Sequence, residues 1–221
     1  MKDILAVLHS TEPAKWLFYG DSITMGASHT LGWRDYTQHF AERIRYELRR
    51  MDDIVLNTAY DGNTTRHLLD SFDWRVGQFH PRVVFIMIGT NDCCEEDGGF
   101  RVPLDEFKSN LNTLVRRIRL LNAALPILQT ACPLLPGGAP NRERSFPKYM
   151  AAVRVVAREE QVPVIDHLSY WRRKAKLAGS DQHPWMGDAI HPNGMGHRVL
   201  AELIFRRLNI SPTRSSPDNF S

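Results

Sequence analysis

Cysteine is scarce in this chain, and its positions argue against a disulfide framework. The 221-residue sequence contains three cysteines, Cys93, Cys94 and Cys132. An odd count leaves at least one thiol unpaired, and adjacent cysteines such as Cys93 and Cys94 form poor structural disulfides. Because this pattern is typical of a protein in a reducing compartment, we expect a cytoplasmic location.

An excess of charge of one sign and long apolar runs are also lacking. The formal charge is +3, from 28 basic and 25 acidic residues. So small an excess does not predict nucleic-acid binding, and the Arg-rich segments 115–122 and 171–179 are expected to form solvated helix faces. The N-terminal apolar run Ile4–Leu8 is too short for a signal-peptide core or a membrane span. We therefore expect no export, no membrane partner and no nucleic-acid partner.

Continuous apolar runs of strand length recur along the chain, which is typical of strands covered on both faces. They lie at 16–19, 53–58, 82–89, 125–130 and 162–166. Helical patterns alternate with them, at 35–50, 64–70, 104–122, 146–160 and 194–208. This alternation predicts an α/β fold, a three-layer α/β/α sandwich with a central five-stranded parallel sheet. Residues 1–210 are expected to form a single domain, followed by a frayed tail at 211–221.

Polar residues follow several of these strands. Ser22 comes after the first strand, Gly62 after the second and Asn91 after the third, while Asp188 and His191 directly precede the last helix. In an open parallel sheet, ligands bind beyond the carboxyl ends of the strands, where the loops converge. We therefore expect these residues to meet at one rim of the sheet.

Together these residues are the set that acyl transfer requires. A serine hydroxyl becomes a good nucleophile when an imidazole accepts its proton, and a carboxylate must hold that imidazole in the right tautomer. This predicts Ser22 as the nucleophile, His191 as the base and Asp188 as its orienting acid. The charge that develops on the attacked carbonyl needs donors already in place. Gly62 and Asn91 are the predicted oxyanion hole, with the Ser22 N–H as a third donor.

Four sequence blocks resemble, in order, those of the SGNH hydrolases, also called GDSL esterases. They are GDSIT at 20–24, Gly62 within NTAYDGNTT, GTND at 89–92 and DAIHP at 188–192, and the resemblance covers about residues 15–208. It implies a flavodoxin-like sandwich and ester hydrolysis through an acyl-serine intermediate, with no metal or other cofactor. One position departs from the family pattern, because Ala59 stands where a further glycine is common. A positive φ there would strain alanine and alter the loop.

Some of these residues allow other interpretations. Asp21 or Asp92 could replace Asp188 as the orienting acid, although capping or bracing of loops is the more usual use of such residues. Ser22 could cap a helix, since serine is a favoured N-cap. His191 could be a capping or core histidine instead of a base.

A zinc site is a further alternative. It would draw on the acids and histidines near the C-terminal end, but no HExxH or Cys/His framework accompanies them. These candidate ligands are Asp181, His183, Asp188, His191 and His197.

Three aromatic residues lie on or near the segments at the predicted site: Trp33, Phe100 and Trp185. A sugar ring or an acyl chain could lie against any of them, although core packing is the commoner use of such residues. Because Trp185 precedes Asp188 by three positions, it is predicted to form a wall of the substrate-binding site.

The expected substrate is a small-molecule ester. The segment 188–204 looks like that of carbohydrate-deacetylating members of the family, which favours short acyl groups, such as acetyl, on a carbohydrate or another polar alcohol. A thioesterase or lysophospholipase acting on longer chains is the alternative, but it would need a long apolar groove, whereas the loops 93–103 and 132–147 are polar and glycine-rich. A binding module that has lost catalysis is less favoured, because no triad member is missing.

Overall fold

The strands of the protein form one parallel sheet and one small hairpin in a computed structural model that describes residues 1–26, 29–177 and 184–210. In chain order they are β1 (Lys15–Gly20), β2 (Ile54–Asn57), β3 (Val83–Met87), β4 (Glu95–Glu96), β5 (Gly99–Phe100), β6 (Leu125–Thr130) and β7 (Val164–Asp166). Five of them pair in parallel in the order β2-β1-β3-β6-β7. β4 and β5 pair antiparallel in the loop that follows β3.

Helices connect the strands and cover both faces of the sheet. They are α1 (Lys2–His9), α2 (Ser22–Met25), α3 (Tyr36–Glu42), α4 (Thr65–Asp70), α5 (Phe72–Arg75), α6 (Leu104–Arg119), α7 (Pro140–Glu143), α8 (Phe146–Glu159), α9 (His167–Leu177) and α10 (Gly194–Arg207). α3, α9 and α10 pack side by side in one layer, and α4, α6 and α8 form the other. The predicted three-layer α/β/α sandwich with a five-stranded parallel sheet is confirmed.

The core lies on both sides of the central strands and is rich in aromatic side chains. Phe18 on β1 stacks on Phe85 of β3, with ring centroids 4.4 Å apart. Phe40 of α3 packs edge-on against both rings. These contacts fix α3 against the sheet, because such aromatic pairs bury large apolar areas in a defined geometry.

Several elements differ from the sequence-based expectation. β2 lies at an edge of the sheet and is partly exposed, so it is not covered on both faces as expected. The helix predicted over 35–50 ends as α3 at Glu42 and continues as a π-helical turn, Arg43–Glu47. The N-terminal apolar run forms the buried face of α1, which was not predicted. The predicted tail 211–221 lies outside the described residues.

No helix among residues 1–26, 29–177 and 184–210 is both long enough and apolar enough to cross a bilayer.

Candidate active site

Ser22 lies in a tight corner between β1 and α2. The corner requires glycine at position 20, because a Cβ there would lie 2.3 Å from the carbonyl oxygen of Met87 on the neighbouring strand. Asp21 is the N-cap of α2, and its Oδ1 accepts a hydrogen bond from the Ile23 N–H at 3.1 Å. Ser22 is therefore the first residue of the helix and is 7% exposed. Since Asp21 supplies the cap, the Ser22 hydroxyl is available for other contacts.

Asp188 and His191 lie in a narrow loop that precedes α10. An antiparallel bridge joins Met186 to Pro192 across this loop. Within the bridge, the Gly187 N–H donates to the His191 carbonyl at 2.8 Å, and the His191 N–H donates to Asp188 Oδ1 at 2.7 Å. The backbone of the loop thus fixes the carboxylate and the imidazole relative to each other.

The side chains of Ser22, His191 and Asp188 form a continuous line of hydrogen bonds. His191 Nδ1 lies 2.8 Å from Asp188 Oδ2, and His191 Nε2 lies 2.9 Å from Ser22 Oγ. Because an ionised carboxylate can only accept, the Nδ1 atom carries the ring proton, and Nε2 is left to accept the serine proton. The structure thus brings together the three residues that sequence analysis selected, although Ser22 and His191 are 169 positions apart.

The charge of Asp188 is maintained by its hydrogen bonds. Burial would raise the pKa of Asp188, but the N–H groups of His191 and Ile190 and the His191 ring outweigh this effect and lower that pKa below its ordinary value. The carboxylate is also 48% exposed. An anion therefore lies beside Nδ1 at neutral pH, where it can stabilise the positive charge that proton transfer would place on the ring.

Three hydrogen-bond donors are available at the rim where Ser22 lies: the backbone N–H groups of Gly62 and Ser22 and the side-chain amide of Asn91. Gly62 has a φ of +73°, a conformation that glycine adopts without strain. Among the residues that the structure describes, no protein acceptor binds the N–H of Gly62 or that of Ser22. The Asn91 amide donates one hydrogen to the Asn63 carbonyl at 3.0 Å, which orients the amide and leaves its second hydrogen free.

Asn63, which was not among the predicted site residues, links these donors to the corner that holds the serine. Its carbonyl orients the Asn91 amide, and its own side-chain amide donates to the Gly20 carbonyl at 3.1 Å. The sequence feature that could have indicated Asn63 is its position directly after Gly62, since asparagine is favoured in turns. Its two contacts, however, depend on the loops of three strands meeting.

The loop that contains Gly62 is compatible with alanine at position 59. Ala59 does not have a positive φ, and its N–H donates to the Asn57 side chain at 3.2 Å. The strain considered at this position on the basis of the sequence therefore does not arise.

Asp21 and Asp92 are buried carboxyls that hold loops and do not contact His191. Asp92 Oδ1 accepts from the Thr65 N–H at 2.9 Å and from the Thr65 hydroxyl at 2.6 Å. Burial raises the pKa of Asp21 to about 7 and that of Asp92 to about 6. Within the described part of the chain, one oxygen of each carboxyl has no hydrogen-bond partner. The two acids thus brace the segments that carry Ser22 and Asn91.

The aromatic candidates have different surroundings. Trp185 is partly buried and packs edge-on against Trp171, with ring centroids 5.4 Å apart. Trp33 is 68% exposed, and its Cβ lies against Gly194 at the start of α10. Phe100 packs edge-on against Tyr149. A substrate-binding role for Trp185 stays a prediction.

Of the candidate zinc ligands that the structure describes, His197 lies apart from Asp188 and His191. Asp181 and His183 fall outside the described residues. His197 is fully buried beneath α3, and its Nδ1 accepts a hydrogen bond from the Tyr36 N–H at 3.2 Å.

A different trio, His29, Asp188 and His191, is the candidate group for a metal within the described residues, with ligand atoms inside 4.8 Å of one another. The rings of His29 and His191 are parallel, 3.4 Å apart and tilted by only 2°. Imidazole lone pairs lie in the ring plane, so two parallel rings do not aim at one common centre. This geometry is a poor fit to a tetrahedral zinc site. His29 was not among the predicted site residues, because it lies in a loop without a motif.

A hydroxyl, an imidazole and a carboxylate in line, with hydrogen-bond donors at the same rim, are the components of acyl-transfer sites. The model of the GDSL-like Lipase/Acylhydrolase family matches residues 18–199. The fold and the match define the class of the protein, a carboxylic ester hydrolase. The chain belongs to the GDSL-like lipase/acylhydrolase family.

Three relatives illustrate the similarity. The acetylxylan esterase of Geobacillus stearothermophilus is 27% identical over 91% of this chain and 96% of its own length. The mouse isoamyl acetate-hydrolyzing esterase 1 homolog is 29% identical, over 83% of this chain and 77% of its own. The uncharacterized lipoprotein YqeF of Bacillus subtilis is 26% identical, over 83% and 87% respectively.

The solved structures that resemble this chain include that of the Geobacillus acetylxylan esterase. It superimposes on this chain with a TM-score of 0.72 at 27% identity, covering 92% of this chain and 97% of its own. Structures of its catalytic mutants carry alanine in place of a serine, an aspartate and a histidine, and the last two positions are three apart.

Proposed function

We propose that the protein hydrolyses short-chain esters with Ser22 as the nucleophile, His191 as the general base and Asp188 as the acid that orients it. The observation that carries the proposal is the line of hydrogen bonds from Ser22 Oγ through the His191 ring to Asp188, at 2.9 and 2.8 Å. The equal spacing of aspartate and histidine in the catalytic mutants of the Geobacillus enzyme supports the same assignment.

The reaction follows from this line. Ser22 Oγ attacks the ester carbonyl carbon while its proton passes to His191 Nε2, and the ring becomes positively charged beside Asp188. The tetrahedral intermediate collapses, and the alcohol leaves with the proton from Nε2. A water molecule then gives a proton to Nε2 as its oxygen attacks the acyl-serine. When this second tetrahedral intermediate collapses, the acid leaves and Ser22 Oγ takes the proton back from Nε2.

The oxyanion of each tetrahedral intermediate would be bound by the N–H groups of Gly62 and Ser22 and by the Asn91 amide. All three donors have a hydrogen that the described residues do not use. Preorganised donors of this kind stabilise the transition state because they need no reorientation as charge develops.

Acetyl esters of a polar alcohol, such as a carbohydrate, are the substrate class that we propose. Two of the relatives are named for acetyl or acetate esters. The loop after β3 is charged, with ion pairs of Glu95 to Arg144 and of Glu96 to Arg101, and a loop of this kind offers little apolar surface for a long acyl chain. Each methylene of a longer chain contributes about 0.8 kcal/mol only if it is buried.

The nucleophile is tested with Ser22→Ala. We expect this variant to lose hydrolysis of a chromogenic acetyl ester by at least about 10⁴-fold while its circular dichroism and thermal melting stay unchanged. Ser109→Ala, on the exposed side of α6, is the matched control and should keep full activity. Substantial turnover by Ser22→Ala would remove Ser22 from the reaction.

The acyl preference is tested with acetyl, butyryl and decanoyl esters of one alcohol. We expect kcat/KM to fall as the chain lengthens. A steep preference for ten carbons would instead favour the thioesterase or lysophospholipase alternative. Failure of a serine-directed fluorophosphonate to react, together with no turnover, would favour a binding module on the same fold.

We also propose a cytoplasmic location, supported by three free and buried thiols at Cys93, Cys94 and Cys132. The lipoprotein among the relatives points to the cell envelope instead. Fractionation of cells that express the full-length protein separates the two, since a membrane-associated protein would contradict the proposal.

A further inference from the structure

His29 lies flat against the proposed catalytic histidine. The rings of His29 and His191 are parallel to within 2°, and their centroids are 3.4 Å apart. His29 Nδ1 is also 3.6 Å from Asp188 Oδ2, the same oxygen that accepts from His191. The His29 ring therefore contacts the face of the His191 imidazole, and the Asp188 carboxylate contacts its edge.

This packing restricts a motion that would break the line of hydrogen bonds from Ser22 through His191 to Asp188. Rotation of the His191 ring about its Cβ–Cγ bond would carry Nε2 away from Ser22 and Nδ1 away from Asp188. A second ring in contact with its face opposes that rotation. The His29 side chain is 27% exposed, so it also screens one side of the Asp188–His191 pair from water.

Among residues 1–26, 29–177 and 184–210, three titratable groups act on His29: His191 and Asp188 from the loop before α10, and Asp61 from the loop after β2. Burial lowers the pKa of His29, and His191 lowers it further, while the two carboxylates oppose the shift. His29 is therefore uncharged at neutral pH. A neutral ring is an acceptable neighbour for an imidazolium, because the face of a π system attracts a cation.

We propose that His29 is a positioning residue, which holds the His191 ring between Ser22 and Asp188 and must be uncharged for the ester to be cleaved. The inference rests on the proposed function, since it assigns a support to the base named there. Protonation of His29 would place a second positive charge 3.4 Å from the ring that must become positive during the reaction. Acid then inhibits the enzyme through two histidines, not one.

The experiment compares His29→Phe, His29→Ala and wild type by kcat and kcat/KM for an acetyl ester between pH 5 and pH 8. Protonation of either histidine should stop the reaction, so kcat/KM of the wild type should begin to fall at a higher pH than that of His29→Phe, which keeps a flat ring but cannot be protonated. At pH 8, His29→Ala should lower kcat about tenfold with little change in KM, because small displacements of a catalytic group are costly. His29→Phe should recover most of that loss.

The controls separate this inference from the proposed function. His9→Ala removes an exposed histidine at the end of α1 and should leave both the rate and the pH profile unchanged. If Ser22→Ala is inactive while both His29 variants match the wild type, the inference about His29 fails alone. If Ser22→Ala is active, the proposed function itself fails.

A measurement on the wild type does not depend on how the variants fold. In an NMR pH titration, protonation of His29 should shift the ring resonances of both His29 and His191, because the two rings are in contact. His191 resonances that do not respond when His29 is protonated would overturn the proposal.

Discussion

Replacing Asp21 by asparagine would remove a buried carboxyl and keep the side-chain oxygen that caps α2. Asp21 is fully buried, and Oδ1 accepts from the Ile23 N–H. Burial raises its pKa from 3.8 to about 7, and nearby Asp92 adds to the rise. The folded protein therefore binds this proton more tightly than the unfolded chain does.

The sign of the effect follows from this difference. The stabilising contribution is fully present below about pH 4 and is lost as the pH rises toward about 7, because the folded state must then bury a charge. Each pKa unit corresponds to about 1.4 kcal/mol, so a shift of about three units corresponds to a loss of about 4 kcal/mol. Asp21→Asn has no such charge, so its free energy of unfolding should gain up to that amount relative to wild type between pH 4 and pH 8.

Urea unfolding followed by tryptophan fluorescence at several pH values measures this difference. Burying the new amide in Asp21→Asn has a free-energy cost that does not depend on pH. This cost therefore drops out when the difference in unfolding free energy between variant and wild type is compared from one pH to another. Asp105→Asn is the matched control, because that carboxyl is 98% exposed and should give a curve parallel to wild type. A difference between Asp21→Asn and wild type that does not grow with pH would refute the reasoning.

Two further substitutions address the oxyanion donors. Asn91→Ala should lower kcat about 10²- to 10³-fold with little change in KM, as measured by steady-state kinetics, because it removes a donor that acts on the transition state; an unchanged kcat would exclude Asn91 from that role. Gly62→Ala meets no atoms within 4 Å but forces a side chain onto a φ of +73°, so we expect roughly 1 kcal/mol of lost stability and a shifted N–H that lowers kcat. Thermal melting and kinetics of this variant check both effects, and full activity with unchanged stability would contradict them.

The strands and the order of the polar blocks could be predicted because their signals are local. Apolar runs identify buried strands such as β3, whose five residues are all buried. The predicted strand over 125–130 coincides with β6. Once the sheet is parallel, its topology brings the ends of β1 and β3 side by side, with Gly20 opposite Met87 in the register. Ser22 and Asn91 are thereby carried to one rim.

What the sequence did not reveal depends on contacts between distant segments. His29 acquires its place from a ring more than 160 positions away, and Asn63 from a carbonyl at the end of β1 and an amide in the loop after β3. The exposure of β2 follows from its position at the sheet edge, which a run of apolar residues does not encode. The π-helical turn after α3 has the apolar spacing of a helix but differs from an α-helix in its backbone hydrogen bonds, which the spacing does not reveal.

The central claim is that Ser22 is activated by an imidazole that Asp188 holds in place. Peptide mass spectrometry after brief treatment with a fluorophosphonate measures this activation directly. The account predicts one adduct, on the peptide that contains Ser22, and its near-complete loss in His191→Ala. Labelling of a different residue, or full turnover of an acetyl ester by protein that remains unlabelled at Ser22, would contradict it.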